Sequence, residues 1–142
     1  MAVIEGIHRV ALCVQDLERT KKAFEEAFGC DFFDPGVFEP MQVHSVTDVD
    51  KGLVLTMPTS YDSPIADNLR RHGQHCMMIC FRVSDIEEAK RMCHEKGINI
   101  LQEIKLGDVE RYKDAAELVL DPASFPEWGG NFMLFYGREE SG

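Results

Sequence analysis

The sequence has few basic residues and no long apolar run. Fifteen Lys and Arg side chains stand against 25 Asp and Glu, so the chain of 142 residues has a formal net charge of −10. A surface that binds a polyanion needs a local positive cluster, and the segment Arg70-Arg71-His72 is too small for one. Nucleic acid and anionic membranes are therefore not expected as partners. No stretch approaches the roughly 20 apolar residues that span a bilayer.

Paired cysteine motifs and several catalytic motifs are also missing. The five cysteines are odd in number and lie in predicted strands or a helix: Cys13, Cys30, Cys76, Cys80 and Cys93. This pattern favours reduced thiols and a cytoplasmic location over a disulfide framework. The start, MAVIEGIHRV, lacks a basic flank followed by a long apolar stretch, so no signal peptide is expected. The sequence contains no P-loop, no GxGxxG and no Ser-His-Asp arrangement.

The chain does contain an internal repeat. The segment VALCVQDL at 10–17 aligns with ICFRVSDI at 79–86, an offset of 69 residues. In both copies an alternating strand ends at an aspartate, Asp16 or Asp85, that is placed as a helix N-cap. An amphipathic helix then follows and stops at a glycine, Gly29 or Gly97. The repeat predicts two modules of the same architecture.

Strand-like sequence follows each predicted helix. The candidate strands lie near 30–34, 40–47 and 52–57 in the first half, and near 98–104, 115–120 and 131–136 in the second. The predicted fold is α+β, with two βαβββ modules in a single domain that spans 1–142. The first module covers 5–58, a polar connector covers 59–75, and the second module covers 76–137.

The repeated pattern of a strand, V-x-D-L/I, an amphipathic helix and glycine resembles the vicinal oxygen chelate superfamily. This superfamily includes glyoxalase I, extradiol dioxygenases and bleomycin resistance proteins, and the pattern is closest to its methylmalonyl-CoA epimerase-like members. The resemblance implies an incomplete, barrel-like mixed sheet around a central cavity, and a homodimer. It also implies a divalent metal held by His or Gln and Glu, with one ligand on the first and one on the last strand of each module.

The positions that this resemblance assigns to metal ligands carry other residues. Counting five residues back from Val14 and Val83 gives Arg9 and Met78, and the last strands offer Val54 or Thr56 in one module and Leu134 in the other. An arginine is permanently protonated and cannot donate a lone pair to a metal. We therefore expect no metal and no other cofactor.

His8 is the one residue that could restore a ligand. It lies one position from Arg9, so the period-two alternation of a strand puts it on the opposite face. With Arg9 in the cavity, the apolar Val10, Leu12 and Val14 face the helix. A shifted register would restore a metal-dependent enzyme of the glyoxalase or dioxygenase type. An atypical zinc site with His8, His75 and Cys76 has no supporting spacing.

Arg9 needs a partner if it is buried, because an unpaired buried guanidinium costs several kcal/mol. An internal salt bridge to Glu117 or Glu103 is one solution. A carboxylate, phosphate or enolate-like oxygen of a ligand is another, and a solvent-exposed position at the strand end is a third.

The predicted cavity wall is mostly apolar, as small-molecule pockets usually are. The predicted ligand-binding residues are Arg9, Cys13, Thr56, Met78, Cys80, Phe132, Tyr136 and Trp128. The same side chains could instead fill a packed core. The loops 106–116 and 121–131, the latter with Phe125, Pro126 and Trp128, are expected at the cavity mouth.

Besides the metal-dependent enzyme that a shifted register would restore, two functions remain open from the sequence. The first is a metal-independent binding protein for a small anionic or carbonyl-containing organic molecule, anchored by Arg9. The second is an isomerase, epimerase or lyase that acts next to a carbonyl, with Arg9 in place of the metal. An enzyme also needs a general base, and the candidates outside the predicted wall are Glu103, Glu110 and Glu117. The catalytic residues are therefore not assigned from sequence.

Overall fold

The computed structural model describes residues 3–107, 113–128 and 131–139. Their strands are β1 (Ile4–Cys13), β2 (Val37–Phe38), β3 (Val43–Asp48), β4 (Leu53–Pro58), β5 (His75–Val83), β6 (Ile100–Lys105), β7 (Ala115–Leu120) and β8 (Phe132–Arg138). Their α-helices are α1 (Leu17–Phe28), α2 (Pro64–His72) and α3 (Ile86–Glu95), and two short 3-10 turns span Pro122–Ser124 and Pro126–Trp128. None of the helices in these ranges has the length and apolar character of a membrane-spanning segment.

The chain divides into two compact units. The N-terminal unit comprises Arg9–Met77, and the C-terminal unit comprises Met78–Gly142 together with Met1–His8. Each unit contains four strands and a helix in the order βαβββ, and the N-terminal unit also contains the helix α2 after its last strand, which confirms the predicted α+β class and the two modules of a glyoxalase-like fold. The first residues of β1 group with the C-terminal unit, whereas the sequence analysis assigned 5–58 to the first module.

The N-terminal unit is a four-stranded sheet with the order β2-β3-β4-β1. β1 and β4 are parallel, and the other two pairs are antiparallel. α1 begins where the carboxylate of Asp16 accepts a hydrogen bond from the Arg19 N–H, and it ends at Gly29, whose φ of 69° suits glycine. Leu12 and Val14 belong to the apolar cluster that also contains Leu17 of α1, so these β1 side chains face the helix.

The C-terminal unit repeats this plan with the order β5-β8-β7-β6. β5 and β8 are parallel, and β6, β7 and β8 pair antiparallel. Asp85 caps α3 by accepting a hydrogen bond from the Glu87 N–H. The core cluster joins Ile86 of α3 to Leu118 of β7 and Phe135 of β8, all of them buried. The predicted N-cap aspartates of both modules are thereby confirmed.

Two predicted elements need correction. The predicted strand at 30–34 is only an isolated bridge between Phe33 and Thr47, because Pro35 and Gly36 follow at once and interrupt the pairing. The predicted connector 59–75 contains the helix α2, which Ser63 caps through the N–H of Ile65. Ser63 followed by proline is a helix-start signal that the sequence analysis did not use.

Candidate functional site

The N-terminal unit presents three of the predicted ligand-binding residues on one sheet face. Arg9 and Cys13 alternate along β1 with Leu12, which faces α1, so they lie on the opposite face. Cys13 is the direct cross-strand neighbour of Thr56 in β4. The Thr56 hydroxyl forms a hydrogen bond of 2.9 Å with the Ser45 hydroxyl of β3. This face therefore carries one guanidinium and a pair of hydroxyls.

Burial differs among these side chains. Arg9 is half-buried, whereas Cys13 is 0% exposed and Thr56 is 4% exposed. Burial raises the pKa of the Cys13 thiol, so the sulfur is held in its neutral form and is a poor nucleophile. Arg9 is accordingly the side chain of this set through which a ligand can make a charged contact.

The C-terminal unit presents the other predicted residues in cross-strand pairs. Met78 pairs with Phe132, and Cys80 pairs with Leu134, along the parallel strands β5 and β8. These side chains alternate with Phe135, which packs in the α3 cluster, so they lie on the face opposite α3. Met78 and Cys80 are buried, and Phe132 is half-buried. The result is an apolar, sulfur-rich wall.

A polar group of residues lies at one end of this wall. Glu117 of β7 is 8% exposed and is the direct cross-strand neighbour of Tyr136 in β8. The Tyr136 ring stacks on the imidazole of His8, with ring centroids 4.0 Å apart and an interplanar angle of 13°. A carboxylate, a phenol and an imidazole are therefore brought together in the C-terminal unit.

This contact corrects the expected orientation of His8. Alternation counted back from Val14 predicted that His8 points away from the wall residues, yet its ring contacts Tyr136, one of those residues. Period-two alternation sets the direction in which a side chain leaves the strand, whereas the position of its ring also depends on its rotamer and on the twist of the strands.

Arg82 is a further residue of this face that the sequence analysis missed. It is the cross-strand partner of Tyr136, on the other side from Glu117. Its Nη2 atom would lie 3.0 Å from a Cβ atom at Gly6, so the guanidinium lies against the Gly6 backbone. The alternation of β5 from Met78 and Cys80 was the signal that could have found it.

Glu103 has neither of the two roles considered for it, ion-pair partner of Arg9 and general base. Its carboxylate lies 2.7 Å from Nζ of Lys90 and 2.9 Å from Nζ of Lys105. The hydrogen bond from Lys90 is the largest of the effects that lower the pKa of Glu103. Glu103 is also the cross-strand neighbour of Leu118, which faces α3. Glu103 therefore lies on the α3 side of the sheet and not on the opposite face, where Glu117 and Tyr136 lie. Among the candidate bases, Glu110 falls outside the described residues, and Glu117 remains.

The donor set does not fit the metal site that the resemblance implies. Of the assigned positions, Arg9 cannot coordinate a cation, and Met78 and Leu134 carry no oxygen or nitrogen donor. Within the described ranges, the one cluster of three possible metal ligands is Glu87, Glu103 and Glu139. Ammonium groups of lysines already contact these carboxylates, which satisfies their charge.

The loop expected at the mouth of the wall lies elsewhere in the C-terminal unit. Phe125 and Pro126 line a separate cavity of about 620 Å³ together with Met92 of α3. Their neighbours there include Phe135, which packs against α3, so this cavity is on the α3 side of the sheet. The Trp128 side chain, also predicted to bind ligand, falls outside the described residues, as do residues 108–112 of the other loop expected at the mouth.

The fold and the two sheet faces define a small α+β protein built from a duplicated βαβββ module. The chain matches the family model described as Glyoxalase/Bleomycin resistance protein/Dioxygenase superfamily over residues 8–112. The protein belongs to this superfamily.

Solved structures with the same fold include methylmalonyl-CoA epimerases. The enzyme from Mycobacterium tuberculosis is 16% identical, with a TM-score of 0.76 over 97% of this chain and 91% of that chain. A selenomethionine form of a methylmalonyl-CoA epimerase is 20% identical, with a TM-score of 0.74 over 99% of each chain. A variant of the Streptomyces coelicolor enzyme in complex with 2-nitronate-propionyl-CoA is 21% identical, with a TM-score of 0.73 over 95% of this chain and 98% of that chain. At this identity the likeness shows the fold. A comparison with curated protein sequences gives no match.

Proposed function

We propose that this protein binds a small anionic or carbonyl-containing organic molecule, without a metal, and that Arg9 anchors the molecule. The observation that carries the proposal is the replacement of the expected ligands by Arg9, Met78 and Leu134. A guanidinium supplies a fixed positive charge and a planar fork of donors, which matches a carboxylate or phosphate.

The C-terminal unit, considered by itself, presents a surface that suits the apolar body of a ligand. In the C-terminal unit, Phe132 and Tyr136 are half-buried and lie in register with Met78 and Arg82 of β5. Methionine adapts to irregular ligand shapes, and aromatic rings contribute a large contact area. Cys80 has no exposed surface, so it supports this wall from within rather than touching the ligand first.

Removal of the Arg9 charge tests the anchor. In Arg9→Gln we expect the affinity for small carboxylates, measured by calorimetry on a fragment panel, to fall at least tenfold, since a hydrogen bond to a charged group contributes about 1.5–3 kcal/mol. Arg19→Gln removes the same charge from an exposed position on α1 and is the matched control. Unchanged carboxylate affinity in Arg9→Gln, or a stoichiometric divalent ion in elemental analysis of untreated protein, would contradict the proposal.

An isomerase, epimerase or lyase is the second candidate, and the position of Glu117 favours it. Glu117 provides a buried carboxylate beside Tyr136 and thus the base that the predicted wall lacked. It would take a proton from the carbon next to a carbonyl, and the electron pair of that C–H bond would move onto the carbonyl oxygen as an enolate. A guanidinium stabilises such an oxyanion, and return of the proton to carbon completes an isomerisation.

Exchange of the substrate proton with solvent distinguishes catalysis from binding. We expect the protein in D₂O to exchange the α-proton of a 2-methyl-substituted acyl thioester or a 2-oxo acid, followed by NMR. Glu117→Gln should abolish exchange while calorimetry still detects binding, and Glu5→Gln, at an exposed position of β1, should leave exchange unchanged. If the unmodified protein binds these compounds but does not exchange the proton, the enzymatic function is refuted and the binding function is retained.

We also propose that the protein forms a homodimer through its N-terminal unit. The side chains of Phe28, Phe33, Val37 and Phe38 in this unit are between 46% and 69% exposed. β2 is the end strand of this unit's sheet, and an open edge with exposed apolar side chains favours pairing with another chain. Sedimentation analysis of Phe33→Ser/Phe38→Ser should show a shift toward monomer, whereas a monomeric unmodified protein would refute the proposal.

A further inference from the structure

The cavity on the α3 side of the C-terminal unit has the dimensions of a ligand site. Its volume of about 620 Å³ lies within the roughly 300–1,000 Å³ that is usual for small-molecule pockets. The walls include two thioethers, Met92 of α3 and Met133 of β8, and the rings of Phe81, Phe125 and Phe135. It lies on the opposite side of the sheet from the wall of Met78 and Cys80, so it is independent of the site proposed above.

Two polar residues in the wall of this cavity, Asp121 and Ser124, are already engaged in local hydrogen bonds. The Asp121 carboxylate accepts from the N–H of Ala123 at 2.9 Å and from the side-chain amide of Asn99 at 3.4 Å. The Ser124 hydroxyl donates to the Asp121 carbonyl and accepts from the Asn99 N–H. These groups hold the 3-10 turn in place, and the rest of the wall offers an apolar, aromatic surface. The body of a ligand here should therefore be apolar.

The charges around the cavity favour a cation. Three ionisable side chains contribute to its lining, Lys96 at the C-cap of α3, Asp121 and Glu127, which gives a local net charge of −1. Glu127 is exposed, and within the described part of the chain its carboxylate makes no hydrogen bond or ion pair. The aromatic ring of Phe125, two residues before Glu127 and also in the lining, can attract a cation over its face.

We propose that this cavity binds a hydrophobic organic amine, with the apolar body between Met92, Met133 and the phenylalanines and the ammonium group at Glu127. The aromatic and thioether lining favours an aryl body, because sulfur and ring edges both make favourable contacts with aromatic rings. The ammonium group of the ligand would be attracted by Glu127 at the mouth of the cavity, and the apolar body would be stabilised by burial inside it.

Three compounds that share a phenylalkyl chain and differ in their polar end group test the proposal. We would titrate the full chain with 4-phenylbutylamine, 4-phenylbutanol and 4-phenylbutyrate by calorimetry, and map each by chemical-shift perturbation. We expect the amine to bind about fivefold more tightly than the alcohol, and the alcohol more tightly than the acid. In Glu127→Gln the amine should lose about threefold to fivefold in affinity, the size of a solvent-exposed ion pair, while the alcohol is unaffected. Phe125→Ala should weaken both.

Glu26→Gln, an identical charge change on the exposed face of α1, is the control and should leave all three affinities unchanged. Met92→Trp, which fills the cavity, should block the amine, and its circular dichroism melt shows whether it is folded. Equal affinity for the three probes, tightest binding of the acid, no binding at millimolar concentration, or shifts confined to other residues would each overturn the proposal.

Discussion

The two units share the sequence signals that start their helices and differ in the side-chain contacts that those helices make. In the N-terminal unit the Phe24 ring of α1 makes edge contacts with Phe28 of the same helix and with Phe32 in the segment that follows it, at centroid distances of 5.4 and 6.5 Å. In the C-terminal unit Lys90 of α3 forms an ion pair with Glu103 of β6. The Asp caps of both helices are retained, so the duplicated module keeps its folding signals while its packing diverges.

The faces opposite the helices differ in a similar way. The N-terminal face carries Arg9 and the hydroxyl pair of Ser45 and Thr56, all of them groups that can donate hydrogen bonds. The C-terminal face carries a buried carboxylate, Glu117, beside Tyr136. Duplication of a fold thus supplies two surfaces on which opposite chemistry can develop.

The two cores should be equally sensitive to cavity formation, and this is the largest expected effect. Leu55→Ala in the N-terminal unit and Leu118→Ala in the C-terminal unit each delete a side chain that is 0% exposed. We expect each to lower the free energy of unfolding by about 2–5 kcal/mol, measured by urea denaturation. Leu101→Ala, at a position that is 54% exposed, is the control and should cost far less. A loss below 1 kcal/mol in only one unit would break the equivalence.

A glycine in β8 makes the C-terminal unit less tolerant of change. A Cβ atom at Gly137 would lie 2.8 Å from both the carbonyl oxygen and a methyl carbon of Val83. Gly137→Ala should therefore cost about 1–3 kcal/mol through overpacking, read from thermal or urea unfolding. Gly107→Ala meets open space and should be close to neutral. If Gly137→Ala and Gly107→Ala have the same free energy of unfolding, the close approach of Gly137 to Val83 does not constrain β8.

The two helix N-caps should contribute equally to the free energy of unfolding. Asp16→Ala and Asp85→Ala each remove a carboxylate that accepts a backbone N–H in the first turn. We expect a loss of about 1 kcal/mol for each, measured by the shift of the urea midpoint. Asp50→Ala, in the exposed turn between β3 and β4, is the comparison at a position that starts no helix. A clear difference between the two caps would show that one helix depends more on tertiary packing.

The smallest expected effect is the pH dependence of the ion pairs around Glu103. Lys90 and Lys105 hold the pKa of Glu103 below its usual range, so its contribution to stability is present above the unfolded pKa. That contribution is lost as the pH falls through the lowered folded pKa. The difference in stability between the unmodified protein and Glu103→Gln should be under about 1 kcal/mol at pH 7 and should shrink toward pH 3. A difference that grows on acidification would contradict this assignment.

The sequence predicted the fold well because the signals for it are local and occur twice. The strand that ends at Asp16 or Asp85 and the helix that ends near Gly29 or Gly97 need only nearby residues. The helix α2 was missed although its start signal is equally local, because the polar composition of 59–75 was given more weight.

The site was harder to predict because its key contacts are long-range. The stacking of His8 on Tyr136 joins residues at opposite ends of the chain, and no periodicity encodes it. Glu103 has a carboxylate that could have paired with Arg9. One of its actual partners, Lys90, is set by the packing of β6 against α3, which the sequence does not reveal. Sequence patterns set the face of a side chain, whereas its partner depends on packing.

The bond between the Ser45 and Thr56 hydroxyls has a consequence for what the N-terminal face can recognise. Each hydroxyl carries a single proton, so once one of them donates to the other, the second proton must be given to something else. Whichever way the pair is oriented, it keeps one O–H donor together with lone pairs that can accept, so this face can both donate to and accept from a bound molecule. A carbonyl oxygen and an amide N–H of such a molecule would each find a partner there.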